Sequence, residues 1–207
     1  MVAVRTMTLD DVEGVSALQR ACFPPPFPEE LLWKPHHLRQ HLAIFPEGQF
    51  VAAVDGSVVG SASNMRVAND RLRAHRSWDE TVGGLELRGH DPTGTVLYGV
   101  DISVHPEWRG RGVARKLYEG RFALVRTLGL KRYATSCRLP GFRDWLAGRT
   151  LSVEMLDRYL GKVAIGVLVD RTLTPLLKMG LRLECGLTDH MDDDESMDCA
   201  ASLEWTP

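Results

Sequence analysis

Arginine and glycine alternate at Arg109-Gly110-Arg111-Gly112, ahead of Val113, Ala114, Arg115 and Lys116. Glycine has no Cβ, so anionic oxygens can come close to the backbone at Gly110 and Gly112. A helix opening near Gly112 would also turn its first N–H groups, which lack intrahelical acceptors, toward such an anion. Arg109, Arg111 and Lys116 add positive charge, and the whole suits a pyrophosphate. Two familiar phosphate loops are excluded, because the run contains neither G-x-x-x-x-G-K-[ST] nor G-x-G-x-x-G. A two-glycine turn before a helix also serves to relieve crowding, so the loop by itself does not name its ligand.

Proton transfer needs a second set of groups. Asp101 interrupts an apolar run, 96–104, three residues before Val104. A buried carboxylate is costly without a partner, so Asp101 is either a general base or a tie to a neighbouring backbone or arginine. His90 and Glu86, in the segment before that run, are the alternative bases. Tyr98 and Tyr133 carry ionisable hydroxyls, but their bodies favour strand packing. Cys137 reads as a small buried thiol before it reads as a reactive one. Further on, Arg138 has the planar fork that grips a carboxylate or phosphate, and Phe142, Trp145 and Tyr159 could wall a pocket beside it. The competing reading makes Arg138 a structural ion pair and the aromatics helix packing.

Metal chemistry finds little support. The run Asp192-Asp193-Asp194-Glu195 lacks the alternating ligands and central glycine of a calcium loop and reads as a solvated hairpin connection. His36, His37 and His41 sit on one expected helix without an H-E-x-x-H pattern. The four cysteines, Cys22, Cys137, Cys185 and Cys199, form no C-x-x-C pair, which argues against a zinc knuckle or disulfide framework.

The elements that must position these groups follow from pattern. Residues 2–7 read as a strand, and a helix starting at Thr8 or Asp10 carries Val12, Val15, Leu18 and Cys22 on one face. Four prolines within 23–28 stop it. A second helix is expected over 35–45. Strands over 49–54 and 57–67 flank Asp55-Gly56, a hairpin signal. Residues 68–94 are polar and irregular, and 95–104 reads as a buried strand ended by Pro106. A long helix should span 112–128, and a strand 131–137. In 138–170, Ser152 caps a short helix bearing Leu156, Tyr159, Leu160 and Val163. A helix over 172–179 and strands over 181–187 and 197–205 complete the chain.

Length and composition suit one soluble globular domain over residues 1–207, with 138–170 as an insertion on the acceptor side. Lys+Arg (25) nearly balances Asp+Glu (27), which disfavours nucleic acid and anionic membranes as partners. No run approaches the roughly 20 apolar residues of a membrane span, and the start lacks the apolar core of a signal peptide. A cytoplasmic protein is expected, with room for a homodimer.

The loop and element order together resemble the GCN5-related N-acetyltransferase (GNAT) superfamily. Its signature [RQ]-x-x-G-x-[GA] is matched by Arg109, Gly112 and Ala114, and the preceding Val-x-Pro by Val104 and Pro106. Residues 45–50, 98–104, 138–142 and 194–196 further resemble the acetyltransferase module that precedes carbon–nitrogen hydrolase domains in some bacterial proteins. The resemblance implies an α/β fold: a mixed, mostly antiparallel central sheet flanked by helices, with the insertion before the last helix. It implies acetyl-CoA as co-substrate and no metal. Backbone groups of Ile102, Ser103 and Val104 would hold the pantetheine, and amides of Arg109, Gly110, Arg111, Gly112, Val113 and Ala114 the pyrophosphate. The acetyl group would pass by direct attack to the amine of a small-molecule or protein acceptor, with Asp101, His90 or Glu86 as base and Arg138, Phe142 and Tyr159 meeting the acceptor. Many members carry a tyrosine four residues before the glycine that ends the last helix, to protonate the thiolate. Counting back from Gly180 gives Leu176 here. The alternative reading is therefore a non-catalytic acyl-CoA-binding or partner-docking module.

Overall fold

A computed structural model describes residues 2–74 and 76–207. Two compact units make up the chain: residues up to Asn69 with Val82–Tyr133 and Pro207, and Asp70–Thr81 with Ala134–Thr206.

In the first unit, strands β1 (Ala3–Thr6), β2 (Phe50–Val54), β3 (Ser57–Val67) and β4 (Val96–Val104) pair antiparallel in that order. β2 and β3 form the expected hairpin, with Asp55 and Gly56 both at positive φ as its tight turn requires. Helix α1 (Val12–Cys22) buries Val12, Val15 and Leu18, and stops where the prolines begin. Helix α2 (Pro35–Ile44) follows. Two single-turn helices, α3 (Asn69–Arg73) and α4 (Trp78–Val82), which fall mostly in the second unit, occupy the stretch that the sequence pattern leaves irregular.

Helix α5 (Val113–Thr127) comes next and lies across the strands. Val113 and Leu117 pack with Phe50, Ala52, Val59 and Ala62, and Ile102, Val104 and Trp108 join that cluster at its margin. The approach is close: a Cβ on Gly60 would sit 2.9 Å from Val113 Cγ1 and 3.2 Å from the Ser103 carbonyl. Strand alternation then turns Asp101 and Ser103 to the other face, where Gln19 of α1 reaches both. β4 also carries a bulge. Ser63 pairs with Asp101 and Asn64 with Gly99, leaving Val100 as the extra residue.

The second unit takes its strands in the order β5-β7-β6: β5 (Arg132–Arg138, which begins in the first unit), β6 (Arg182–Leu187) and β7 (Ala200–Trp205). β6 and β7 are antiparallel. Helices α6 (Phe142–Leu146), α7 (Val153–Ala164) and α8 (Leu173–Lys178) lie between β5 and β6 in the chain. The expected cap of α7 is present, with Ser152 Oγ accepting from Met155 N at 3.2 Å. Its buried face is Leu156, Tyr159, Leu160 and Val163, as the spacing requires. The mixed α/β class, mostly antiparallel with flanking helices, is thus observed, and 138–170 holds α6 and α7.

One expectation is corrected. The acidic run 192–195 is not simply solvated. Asp193 takes the Arg138 fork at 2.6 and 3.0 Å, Glu195 meets Arg138 and Arg171, and Asp194 pairs with Arg143. Three arginines distant in sequence pair with three of its four carboxylates.

Candidate functional site

The site builds from the end of β4. Pro106 starts a single 3-10 turn, Pro106–Trp108, whose N-cap His105 accepts from Glu107 N. Arg109 leaves this turn extended, and its Nε donates to the Val104 carbonyl at 3.2 Å. The Arg111 guanidinium lies 5.0 Å from the centre of the Trp108 ring, a cation–π contact that orients it. Gly110 (φ +73) and Gly112 (φ +78) are both left-handed, a region costly for residues with a Cβ. A Cβ on either would meet nothing within 4 Å. These glycines therefore serve backbone conformation and an open approach, not packing. Gly112 is the N-cap of α5 and supplies no side-chain acceptor to the first turn. Residues 109–114 suit an anionic group: two glycines with open space beside them, alternating with the charges of Arg109 and Arg111, at the start of a helix.

Along β4, the Val104 carbonyl also accepts from Cys22 Sγ at 3.3 Å. Ser103 Oγ donates to Asp101 Oδ2 at 3.1 Å and accepts from Gln19 Nε2 at 3.0 Å, and Gln19 Nε2 lies 3.2 Å from the same carboxylate oxygen. Burial pushes the Asp101 carboxyl above the usual carboxylate range, against the opposing pull of Ser103, Arg121 and Gln19. A carboxylate raised in this way binds a proton more readily than one in water, which is what a base requires.

His90 and Glu86 belong to the same unit but to a different setting. His90 Nδ1 accepts from Arg66 N at 3.1 Å, and the ring stacks on Phe45 with centroids 5.1 Å apart. Burial and then Arg66 lower its pKa. With Nδ1 engaged as acceptor, the neutral ring carries its proton on Nε2 and has no spare lone pair there. Glu86 pairs with Arg88 at 3.0 Å. Among the described residues, neither is hydrogen-bonded to Asp101, Ser103 or Gln19.

The expected acceptor residues lie in the second unit, each with partners there. Arg138 holds Asp193 and Glu195. Phe142 is fully buried, its ring 5.2 Å from that of Tyr159 and 6.2 Å from that of Trp145. Tyr159 donates to Asp170 Oδ2 at 2.7 Å, and burial raises its pKa. Asp170 is itself a capping group, its Oδ1 accepting from Thr172 N and Leu173 N at 2.8 Å each. Leu176 is a buried residue of α8.

Two residues that sequence reasoning passed over hydrogen-bond to Asp101. Gln19 lies four residues after Val15 on the buried face of α1. Arg121 lies four residues after Leu117 on that of α5, 1% exposed. A polar residue at a position the apolar stripe should occupy was the available signal in both. Among the described residues, no group of three or more His, Cys, Asp or Glu could hold a metal, and no helix is long and apolar enough to cross a membrane.

The chain resembles known proteins in sequence and in fold. A family model described as the acetyltransferase (GNAT) family matches residues 12–143. The chain is 31% identical over 204 residues to YkwB of Bacillus subtilis, named an uncharacterized N-acetyltransferase, covering 99% of this chain and 88% of that one. It is also 31% identical over 206 residues to YhcX of the same organism, named a probable hydrolase, of whose length it spans 38%. Among solved structures, a GNAT-like decarboxylase, GphF, in complex with isobutyryl-CoA superposes with a TM-score of 0.79 at 20% identity, covering 99% of this chain and 98% of that one. The loading GNATL domain of CurA from Lyngbya majuscula gives 0.78 at 19%, covering 100% and 98%.

Proposed function

From the premise that the chain belongs to the GNAT acetyltransferase family, we propose that it moves an acetyl group from acetyl-CoA to the amine of a small-molecule or protein acceptor by direct attack. The observation that carries this reading is the pair of left-handed glycines, Gly110 and Gly112, alternating with Arg109 and Arg111 between the turn after β4 and the start of α5. Amides of 109–114 would hold the pyrophosphate, and backbone groups of Ile102, Ser103 and Val104 the pantetheine. For Val104 the Arg109 and Cys22 contacts mark its carbonyl as an acceptor that a ligand amide would share or take over.

An amine with a pKa of about 10 is mostly protonated at neutral pH, so a base must take its proton before or during attack. Asp101 has the strongest support, being held by two neutral donors and raised by burial. His90 has less, because its Nδ1 lone pair is in use. Acceptor contacts by Arg138, Phe142 and Tyr159 are supported by the family resemblance more than by their surroundings. Free thiols at all four cysteines are compatible with a cytoplasmic setting. The test is CoA release over a panel of amines: turnover is expected, with Asp101→Asn slower by about 100-fold or more. Turnover unchanged in Asp101→Asn would remove Asp101 from the mechanism.

A second reading keeps the ligand and drops the reaction. It is favoured by Leu176, an apolar side chain that cannot protonate a thiolate, and by the match to part of a longer probable hydrolase. Tight CoA binding with no CoA released from any amine would select it. Since one fold neighbour is named a decarboxylase, fold alone does not choose the reaction.

A further inference from the structure

Arg121 is among the largest fully buried side chains in the molecule. Its Nη2 donates to the Ser63 carbonyl at 3.2 Å and, in a shorter bond, to the Asp101 carbonyl. Those two residues face each other beside the bulge of β4, where the ladder is locally broken. The guanidinium lies 4.9 Å from the centre of the Tyr118 ring and 5.5 Å from that of Tyr133. Its Nε is buried without a hydrogen-bond partner.

A methionine or leucine at this position would fill the core without burying a charge, and such replacements are often neutral or stabilising. The charge therefore calls for a reason other than packing. Carbonyls and ring faces solvate a cation but do not neutralise it. Through the Asp101 carbonyl Arg121 is bonded to the residue that carries the nearby carboxylate, and its positive charge favours the ionised form of that group. The other groups around that carboxylate are the neutral donors Gln19, Ser103 and the Ile102 N–H, and the Cys22 thiol, itself close to Arg109. β3 contributes the Ser63 carbonyl.

We propose that Arg121 is a positioning residue for acyl transfer: it clamps the carbonyls at the β4 bulge and keeps the Asp101 side chain in its anionic, proton-accepting form. This rests on the reading of Asp101 as the base. Arg121 acts from behind the strand, through Asp101. Its work shows in the ionisation of that residue and not in cofactor affinity.

The test pairs Arg121→Met, which keeps bulk and removes charge, with Arg121→Lys, which keeps charge and loses the fork. The Asp101 carboxyl is followed by carbon-13 NMR across pH, and CoA release is measured over the same range. In Arg121→Met the Asp101 midpoint is expected to rise by about one pH unit or more. The acidic limb of the activity profile should rise with it, and the KM for acetyl-CoA should stay within about threefold. Arg121→Lys should restore both midpoints to within about half a unit of the parent. Should Arg121→Met not fold, Arg121→Gln removes the same charge while keeping an N–H donor, and the same shift is expected. An unmoved Asp101 midpoint in a folded, uncharged variant overturns the proposal. A midpoint that moves while the activity profile stays put overturns instead the reading of Asp101 as the base, and the two failures are distinct.

Discussion

At Gly112, backbone shape and the proposed ligand chemistry meet in one residue. Its φ of +78 opens α5, and an L side chain there costs about 1–2 kcal/mol, which the turn relieves by rotating its amides away. Gly112→Ala should thus weaken acetyl-CoA binding roughly 5- to 30-fold by calorimetry, with the helix content of α5 kept in circular dichroism. An unchanged affinity would mean that the turn does not hold the ligand. His41 makes a prediction about pH. It is 1% exposed, donates from Nε2 to the Leu85 carbonyl at 2.6 Å, and leaves Nδ1 buried and unpartnered. Burial lowers its pKa to about 4 from an ordinary 6.5. Below pH 6.5 the unfolded chain gains this proton and the folded one does not. Stability therefore falls as pH drops from 6.5 to 4, by about 3 kcal/mol from this group. Denaturant midpoints should follow that course, and His41→Gln should flatten it. A slope equal to the parent's in the variant would assign the effect elsewhere. The glycine loop was legible in the sequence because its chemistry is local. Arg121 and Gln19 were not singled out, because what makes each polar residue important is a partner 20 to 84 positions away.

Elements repeat the contrast. The cap and buried face of α7 were readable from Ser152 and the spacing of Leu156, Tyr159, Leu160 and Val163, all within one helix. The bulge in β4 was invisible, since it is a matter of register between strands. So was the pairing of the acidic run, whose partners Arg138 and Arg143 lie 51 to 57 residues earlier. That pairing gives Arg138 a structural task. Arg138→Ala should cost about 1 kcal/mol in stability, modest because the fork is partly exposed. It should leave the KM for an acceptor amine within about threefold, if the fork is committed to Asp193 and Glu195. A large rise in acceptor KM with stability unchanged would restore the clamp on substrate that the sequence suggested.

For the whole molecule, β5 is the element to watch, because one strand begins in the first unit and ends in the second. A strand cannot stay ordered over half its length while the rest melts without losing much of its pairing. We therefore propose that residues 1–207 act as one cooperative domain. Urea unfolding followed by tryptophan fluorescence and by far-ultraviolet circular dichroism should give coincident transitions. Two separated midpoints would make the units independent. Family membership rests on a chain-wide match, while the function proposed for it turns on the ligand of one loop. The most direct measurement is calorimetric titration with acetyl-CoA, CoA and ATP side by side. Saturable single-site binding of acetyl-CoA and CoA is expected, with ATP weaker by about tenfold or more and acetyl-CoA weakened in Gly112→Ala. ATP binding as tightly as acetyl-CoA, or acetyl-CoA failing to bind, would contradict it.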